Sequence, residues 1–334
     1  MKRDSALRKF FGSKIFSLLI VIVVLMVIFT VVSEGRMIHP LNIRNIINNM
    51  VILSFLSVGA GMLVLFGYID LSSGIIGSFA GCVLAFFITQ FGFPAGVAYI
   101  IAIISGIALG FLNAVMVNEL HFQPFIATLV TSSVFQGFGY MLVSSQGIRV
   151  QNSPLINWIG DTKFLNGLLP VTIIISLSFI LIYGIILGKT RFGRSIYLCG
   201  GNRNAAYLSG LYPKRISYIL FMNSGFLAAI SGCIYLCRVK TSYAVAISSY
   251  QFTGITAAIL GGISFGGGSG SILGCFLGML ILAVFNTGVS TIGFDYNYTI
   301  IFNGVLLVFG LSLDSISARQ KAKRVIKQSL SEPL

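Results

Sequence analysis

An all-α, polytopic membrane protein with about ten transmembrane helices is the fold class this sequence predicts, and three observations carry that reading. The chain is 56% hydrophobic and only 9% charged, against roughly 25% charged residues in an ordinary soluble domain. Its apolar residues fall into successive runs near the about 20 residues that one helical crossing of a bilayer requires. Its charge is unbalanced, with 22 Lys and Arg against 8 Asp and Glu and a formal net charge of +14. In a soluble chain that excess points to a polyanion such as nucleic acid. With this apolar content a soluble enzyme and a nucleic-acid partner are both excluded, and the question becomes where the basic residues lie relative to a membrane.

The first run, 15–33, follows Lys2, Arg3, Arg8, Lys9 and Lys14 and has the flank of a secretory signal. It is too long for one, and it ends in Glu34-Gly35-Arg36 without a small-x-small cleavage site, so it is read as the first span. Hydropathy places the others at 45–67, 72–90, 94–117, 124–145, 167–187, 216–237, 252–266, 270–291 and 297–316. The eighth is short and interrupted by glycine, the mark of a discontinuous helix. The largest connections are 146–166 and 188–215, and no Pro-rich or Gly/Ser linker sets off a soluble domain. The chain divides into a basic N-terminal segment 1–14, a single transmembrane domain 15–316 and a basic tail 317–334.

With the N-terminus inside, the cytoplasm receives the five basic residues ahead of the first span and six in the 188–215 loop (Lys189, Arg191, Arg194, Arg203, Lys214, Arg215). Five more lie in the tail (Arg319, Lys321, Lys323, Arg324, Lys327), against Arg36, Arg44, Arg149, Lys163, Arg238 and Lys240 outside. This split of 16 to 6 obeys the positive-inside rule and puts both termini in the cytoplasm. The tail then reads as drawn to anionic lipid headgroups.

Five cysteines make no disulfide framework, because the number is odd and Cys82, Cys233, Cys237 and Cys275 fall inside apolar runs. They read as small buried hydrophobes. Cys233 and Cys237 share a helical face, but no His or further Cys stands near them to complete a metal site. His39 and His121 lie near span ends and read as interfacial. No metal and no cofactor is expected.

Among the acidic residues Asp70 is the exception. It stands in GYIDLSSG (67–74), with no basic residue from Arg44 to Arg149. A carboxylate at membrane depth faces a polar cavity or a hydrogen-bond donor. Followed by Ser72 and Ser73, it reads either as the cap of a broken helix, accepting backbone N–H groups and complementing the helix dipole, or as a permeant contact. GGISFGGGSGSILGCFLG (261–278) lacks the terminal G-K-[ST] of a phosphate loop, and no strand precedes it. Beside GYIDLSSGIIGSFAG (67–81) it looks like a second copy of one device in two related halves: apolar run, Gly-rich break, Ser, Gly-spaced helix. Paired breaks of this kind point to a transport site, although small-residue helix packing explains them as well. PFIATLVTSSVFQGFGY (124–140) opens on Pro124 and places Thr128, Ser132 and Gln136 on one face with Thr131 beside them, as pore lining or as interhelical glue. Asn113, Asn223 and Asn286 are isolated mid-span amides, read first as helix glue. In the 188–215 loop, Asn202 can cap a short helix over 204–209 that Gly210 can close, a surface suited to docking a partner.

GYIDLSSG, PFIATLVT, GGNRNAAYLSGL and GGISFGGGSGSILG, in this order, resemble the permease subunits of ribose-type ABC importers, which take up ribose, galactose, xylose, arabinose and related small polar compounds including autoinducer-2. The likeness runs from about Leu41 to Asp314. It implies a permease in a bacterial inner membrane that works with a second permease subunit, two ATP-binding subunits and an extracytoplasmic solute-binding protein. Carried over by matching position, it places Gly67, Asp70, Leu71, Ser72 and Gly74 on the family's membrane-embedded Gly-Asp-Leu-Ser element. Pro124, Phe125, Ile126, Thr128 and Leu129 fall on its pathway-associated helix. Gly200, Gly201, Asn202, Ala205, Leu208, Ser209 and Gly210, with Arg203 and Ala206 between them, fall on the segment that sits on the ATPase. This chain departs from the family in having Arg203 where an acidic residue is common, Gln136 where Arg is frequent and Gln251 where Glu is frequent.

The resulting expectation is a pathway lined by the breaks near 67–81 and 261–274, with Asp70, Ser72, Gly74, Phe125, Thr128, Thr131, Gln136, Gly262, Ser264 and Gly268 as its candidate residues. ATP hydrolysis on separate subunits would move the 188–215 loop, since the chain has no nucleotide motif. The alternative is an ion-coupled transporter or channel for a small polar solute, which usually keeps several ionisable groups in the membrane where this chain keeps only Asp70. An intramembrane enzyme would need a nucleophile with a base or a metal cluster, and no such set assembles. Low intramembrane charge favours a neutral polar solute, a monosaccharide foremost.

Overall fold

The computed structural model describes residues 14–151, 153–165 and 167–331, the side chains of 296, 313 and 317–331 excepted. Lys2, Arg3, Arg8 and Lys9 of the predicted N-terminal segment lie outside the described residues, and the basic side chains of the predicted tail lie outside the described side chains.

The described chain is helical almost throughout. The helices are α1 Lys14–Val32, α2 Pro40–Leu65, α3 Ser73–Gln90, α4 Ala95–Asn118, α5 Pro124–Val143, α6 Pro154–Asp161, α7 Val171–Lys189, α8 Arg191–Gly201, α9 Arg203–Leu208, α10 Pro213–Val239, α11 Tyr250–Leu260, α12 Ile272–Thr291 and α13 Tyr296–Ser331. Their starts follow from the sequence. Pro40, Pro124, Pro154 and Pro213 open four of them at the position where a missing N–H costs nothing. The side chains of Thr190, Asn202 and Ser271 cap α8, α9 and α12 by accepting from Gly193, Ala205 and Gly274 N–H.

Nine helices among the described residues are long and apolar enough to cross a membrane. The span predicted at 252–266 is not among them. It is the 11-residue α11, about 16 Å at 1.5 Å per residue and so about half a bilayer. Gly262, at φ +97°, turns the backbone out of the helix, and the chain continues without helix to Ser271. Two further features were not expected. The 146–166 connection holds the amphipathic α6 and two short antiparallel ribbons, in which Ile148 and Arg149 pair with Ser242 and Thr241, and Lys163 and Phe164 with Pro170 and Leu169. The last helix also continues past 316 to Ser331.

α10 is the centre of the bundle, packed against α2, α3 and α4, while α2 also contacts α11 and α12. Between lipid-bathed helices there is no hydrophobic drive to associate, so close van der Waals approach must supply the stability. Glycine makes that approach possible where α4 crosses α10. A Cβ on Gly110 would stand 2.3 Å from Phe221 O, and one on Gly225 2.1 Å from Gly106 O. Leu63, Leu65, Phe66, Leu220 and Phe221, all 1% exposed or less, fill the adjoining core. α1 and α13 and one face of α5 are largely exposed in the single chain. The five cysteines are free and buried.

Candidate functional site

Asp70 lies in the non-helical stretch between α2 and α3 and is 2% exposed. Its Oδ1 accepts from Ser72 N–H at 2.8 Å and Ser72 Oγ at 2.6 Å, and its Oδ2 accepts from Ser224 Oγ of α10 at 2.8 Å. The carboxylate therefore sits at the start of α3 in a side-chain turn, two residues ahead of the capping position that Ser72 occupies. The network extends outward. Asn113 of α4 donates to Ser72 Oγ at 2.7 Å and accepts from Thr131 Oγ of α5 at 2.6 Å, while Thr128 accepts from Leu71 N–H at 3.0 Å. One buried cluster thus ties the break to α4, α5 and α10, with a hydrogen-bond donor on each carboxylate oxygen.

The remaining residues singled out on α5 separate. Thr128 and Thr131 face inward, Ser132 and Gln136 lie at the edge, and Phe125 is 47% exposed at the first turn. Gly74 packs under the 247–248 backbone, whose carbonyls a Cβ would meet at 2.7 and 2.8 Å. Asn113 and Asn223 do bind helices together, Asn223 accepting from Tyr183 of α7 and donating to Met62 Sδ of α2. Asn286 makes no such pairing through its Oδ1 among the described residues.

The second glycine-rich break lies at the end of the bundle that carries the 188–215 loop, and it touches the first. Gly268 N–H donates to Leu65 O at 2.8 Å. Ser264 Oγ, at 3.3 Å, and Phe265 N–H, at 2.9 Å, both donate to Asp314 Oδ2 of α13. Gly262 packs against the Lys14 side chain.

The 188–215 loop grips both breaks at once. Tyr197 of α8 donates its hydroxyl proton to Gly270 O at 2.9 Å. Gly200 lies so close to Leu65 O and Gly268 N that a Cβ there would stand 1.8 and 2.7 Å from them. Arg203 donates to Tyr68 Oη at 2.8 Å and Phe66 O at 3.3 Å, with its guanidinium carbon 4.4 Å from the Tyr68 ring centre and 4.9 Å from that of Phe66. Asn202 caps α9 as expected, and Gly210, at φ +83°, closes it. Gly201, Ala205, Ser209 and Gly210 are exposed and Ala206 is buried, while Tyr207 and Leu208 present 64% and 85% of their surface. Sequence reasoning had assigned Arg203 to the ATPase contact alone. The aromatic pair Phe66 and Tyr68, directly beside the break, was the available signal for its inward role.

No three His, Cys, Asp or Glu side chains come together as metal ligands among the described residues. A bundle of membrane-crossing helices in which one loop grips two broken helices defines a polytopic membrane permease. The family model described as branched-chain amino acid transport system, permease component, matches residues 42–311, and the chain belongs to that family of ABC-importer permeases. It is 30% identical over 295 residues to the ribose import permease of Bacillus subtilis, covering 87% of this chain and 89% of that one. It is 28% identical to the D-allose transport system permease of Escherichia coli, with 90% and 91% covered, and 26% identical to the fructose import permease of Rhizobium meliloti, with 89% and 84% covered. Among solved structures, an inward-facing ABC transporter of the metal-chelate type matches at TM-score 0.50 and 16% identity, over 92% of this chain and 98% of that one. That last likeness speaks for the fold alone.

Proposed function

We propose that this chain is the permease subunit of an importer that moves a small neutral polar solute, a monosaccharide foremost, into the cytoplasm across a bacterial inner membrane. In this reading it pairs with a second permease subunit and receives solute from an extracytoplasmic binding protein. ATP hydrolysis on two separate subunits drives it. The 188–215 loop and both termini face the cytoplasm, in keeping with the 16 to 6 split of basic residues. The monosaccharide rests on the relatives, which are named for ribose, allose and fructose.

The observation that carries the reading is the triple grip of Tyr197, Gly200 and Arg203 on the two breaks. A push on α9 is delivered directly to Phe66, Tyr68 and Gly270, and from there to the helices the breaks interrupt. The exposed Tyr207 and Leu208 supply the apolar face on which an ATPase subunit would press. An ion-coupled mechanism has less support, because each oxygen of Asp70 already accepts a hydrogen bond.

The test is reconstitution with the partner subunits. Leu208→Asp is expected to abolish ATPase binding, and Arg203→Ala to leave the complex assembled while lowering solute-stimulated ATP hydrolysis and uptake several-fold. Wild-type stimulation in both variants would refute the coupling. Uptake that continues without ATP but collapses with the ion gradient would refute the class.

A further inference from the structure

α13 leaves α12, its neighbour in the chain, and packs chiefly on α11. Leu307 and Leu311 lie against the buried Ile255 and Ile259, and Gly310 comes so near that a Cβ there would stand 3.2 Å from Leu260 Cδ2. Close approach of this kind holds helices together where lipid leaves no hydrophobic drive between them. One turn further on, Asp314 reaches the glycine-rich segment that continues α11. Its Oδ2 accepts from Phe265 N–H at 2.9 Å and from Ser264 Oγ at 3.3 Å. A carboxylate on a backbone N–H makes a charge-assisted bond, roughly twice as strong as a neutral one. Neither of the two ion pairs among the described residues draws Asp314 away from it.

The 188–215 loop holds the same segment a few residues later, through Tyr197 on Gly270 O and Gly200 against Gly268 N. The two attachments are joined by a closed turn and not by slack chain, because Ser264 N–H donates to Ser269 O at 2.9 Å and Gly267 N–H to Ser264 O at 3.0 Å. Nearer its start, α13 is tied to α12 instead, where the Phe302 ring meets that of Phe285 edge-on at 5.9 Å between centres. α11 and α13 together form one wall of a cavity of about 610 Å³, at Thr253 and Leu307, and α2 and α12 form the other, at Leu53 and Ala283. A smaller cavity of about 210 Å³ adjoins it and shares Asn49, Asn286 and Ser290.

We propose that Asp314 is a positioning residue of the transport cycle: it makes α13 follow the second break, so that a push on the 188–215 loop tilts α13 about its Phe302 contact. Packed elements shift as bodies and do not deform continuously, so the tilt moves the α11–α13 wall of the larger cavity against the α2–α12 wall. The proposal rests on the importer reading and adds a second branch to its drive. The first branch runs from Arg203 to Phe66 and Tyr68. The second runs from Tyr197 and Gly200 through the 264–269 turn to Asp314 and α13. Among the described residues the Asp314 carboxylate alone joins that turn to α13 by hydrogen bonds. Its removal therefore cuts the second branch and leaves the first, so that ATP is still hydrolysed in response to solute while α13 no longer follows.

The experiment reconstitutes the full chain with its partner subunits in vesicles and measures ATP hydrolysed per molecule of ribose, allose or fructose imported. That ratio is independent of the fraction of complex that folds, because misfolded complex drops out of solute-stimulated hydrolysis and uptake alike. Asp314→Ala is expected to raise the ratio at least fivefold with KM for the solute unchanged. Asp314→Asn, whose amide oxygen can still accept from Phe265 N–H, is expected to recover most of the loss. Ser264→Cys with Asp314→Cys is expected to behave as Asp314→Ala until a short bis-thiol reagent bridges the pair, which restores the ratio; the five native cysteines are buried and stay out of the reaction. A wild-type ratio in Asp314→Ala, or hydrolysis and uptake that fall in proportion, overturns the proposal. So does a bridged pair that blocks uptake, since the break and α13 would then have to part during the cycle. Wild-type complex that takes up none of these sugars with ATP overturns the importer reading for monosaccharides instead.

Discussion

Replacing Asp70 separates its two possible roles. In Asp70→Ala the N–H and hydroxyl of Ser72 and the hydroxyl of Ser224 lose their acceptor, at 2.8, 2.6 and 2.8 Å in the wild type. Hydrogen bonds to a charged group contribute about 1.5–3 kcal/mol each in soluble proteins, while polar contacts between helices in a membrane average about 0.6 kcal/mol. Taking the lower figure of the first range for the two Ser72 bonds and the membrane average for Ser224 gives a loss of about 3–4 kcal/mol. Asp70→Asn keeps an acceptor for Ser72 and offers an N–H to Ser224, whose hydroxyl can rotate to accept it, so its cost is about 1 kcal/mol. The assay is unfolding by SDS titration in mixed micelles, read by circular dichroism, beside uptake in reconstituted vesicles. Expected are a clear loss of stability for Ala, and for Asn a small loss with near-native uptake. An Asn variant as stable as the wild type but with KM raised tenfold would refute the reasoning, because the charge would then be serving the solute. An Ala variant of unchanged stability would refute the network.

Gly110→Ala drives a Cβ to within 2.3 Å of Phe221 O, and forcing α4 from α10 is expected to cost about 1–3 kcal/mol in the same titration, whereas Gly137→Ala, which meets nothing within 4 Å, is expected to be neutral. The hydrogen bond from Lys214, and then that from Tyr218, hold the Glu119 carboxyl below the usual carboxylate range. With the folded value depressed, the stabilisation is present above the unfolded value of about 4.3 and is lost as pH falls below it. Because the pair is exposed the effect is small, and the advantage of wild type over Glu119→Gln is expected at neutral pH and to shrink only below about pH 4.3. An advantage that persists unchanged at pH 3 would contradict the assignment.

How much of this was legible depended on whether the cause was local. Long apolar runs made nine helices visible, with boundaries within about five residues everywhere but at the end of α13, which runs on to Ser331, because crossing a bilayer imposes length and composition on each helix separately. The cap at Asn202 and the start at Pro124 were visible for the same reason. α11 was recognised as irregular, but its length was overestimated, since hydropathy weights Gly261 to Gly266 as apolar whereas the φ of +97° at Gly262 ends the helix. α6 is eight residues long and held by contacts with α10 and by the ribbon between 148–149 and 241–242. Those contacts join positions about ninety residues apart, and nothing in the local pattern of 146–166 announces them.

The site divides along the same line. Asp70 was conspicuous as a lone carboxylate, but its partners come from three other helices, and only their coordinates show that Asn113 and Thr131 belong to its cluster while Gln136 does not. Three mid-span asparagines were indistinguishable in sequence; two of them join helices and the third lines a cavity with its oxygen unpaired. A signal for that difference was nevertheless present. Asn42, Asn45, Asn48 and Asn49 crowd the first turns of α2, where amides are poor helix formers and carry a desolvation cost in lipid. One isolated amide in a membrane helix is accounted for by one partner. The four on α2 line the smaller cavity together with Asn286, and of the amides around the two cavities Asn286 and Asn303 are the ones whose buried oxygen has no partner among the described residues.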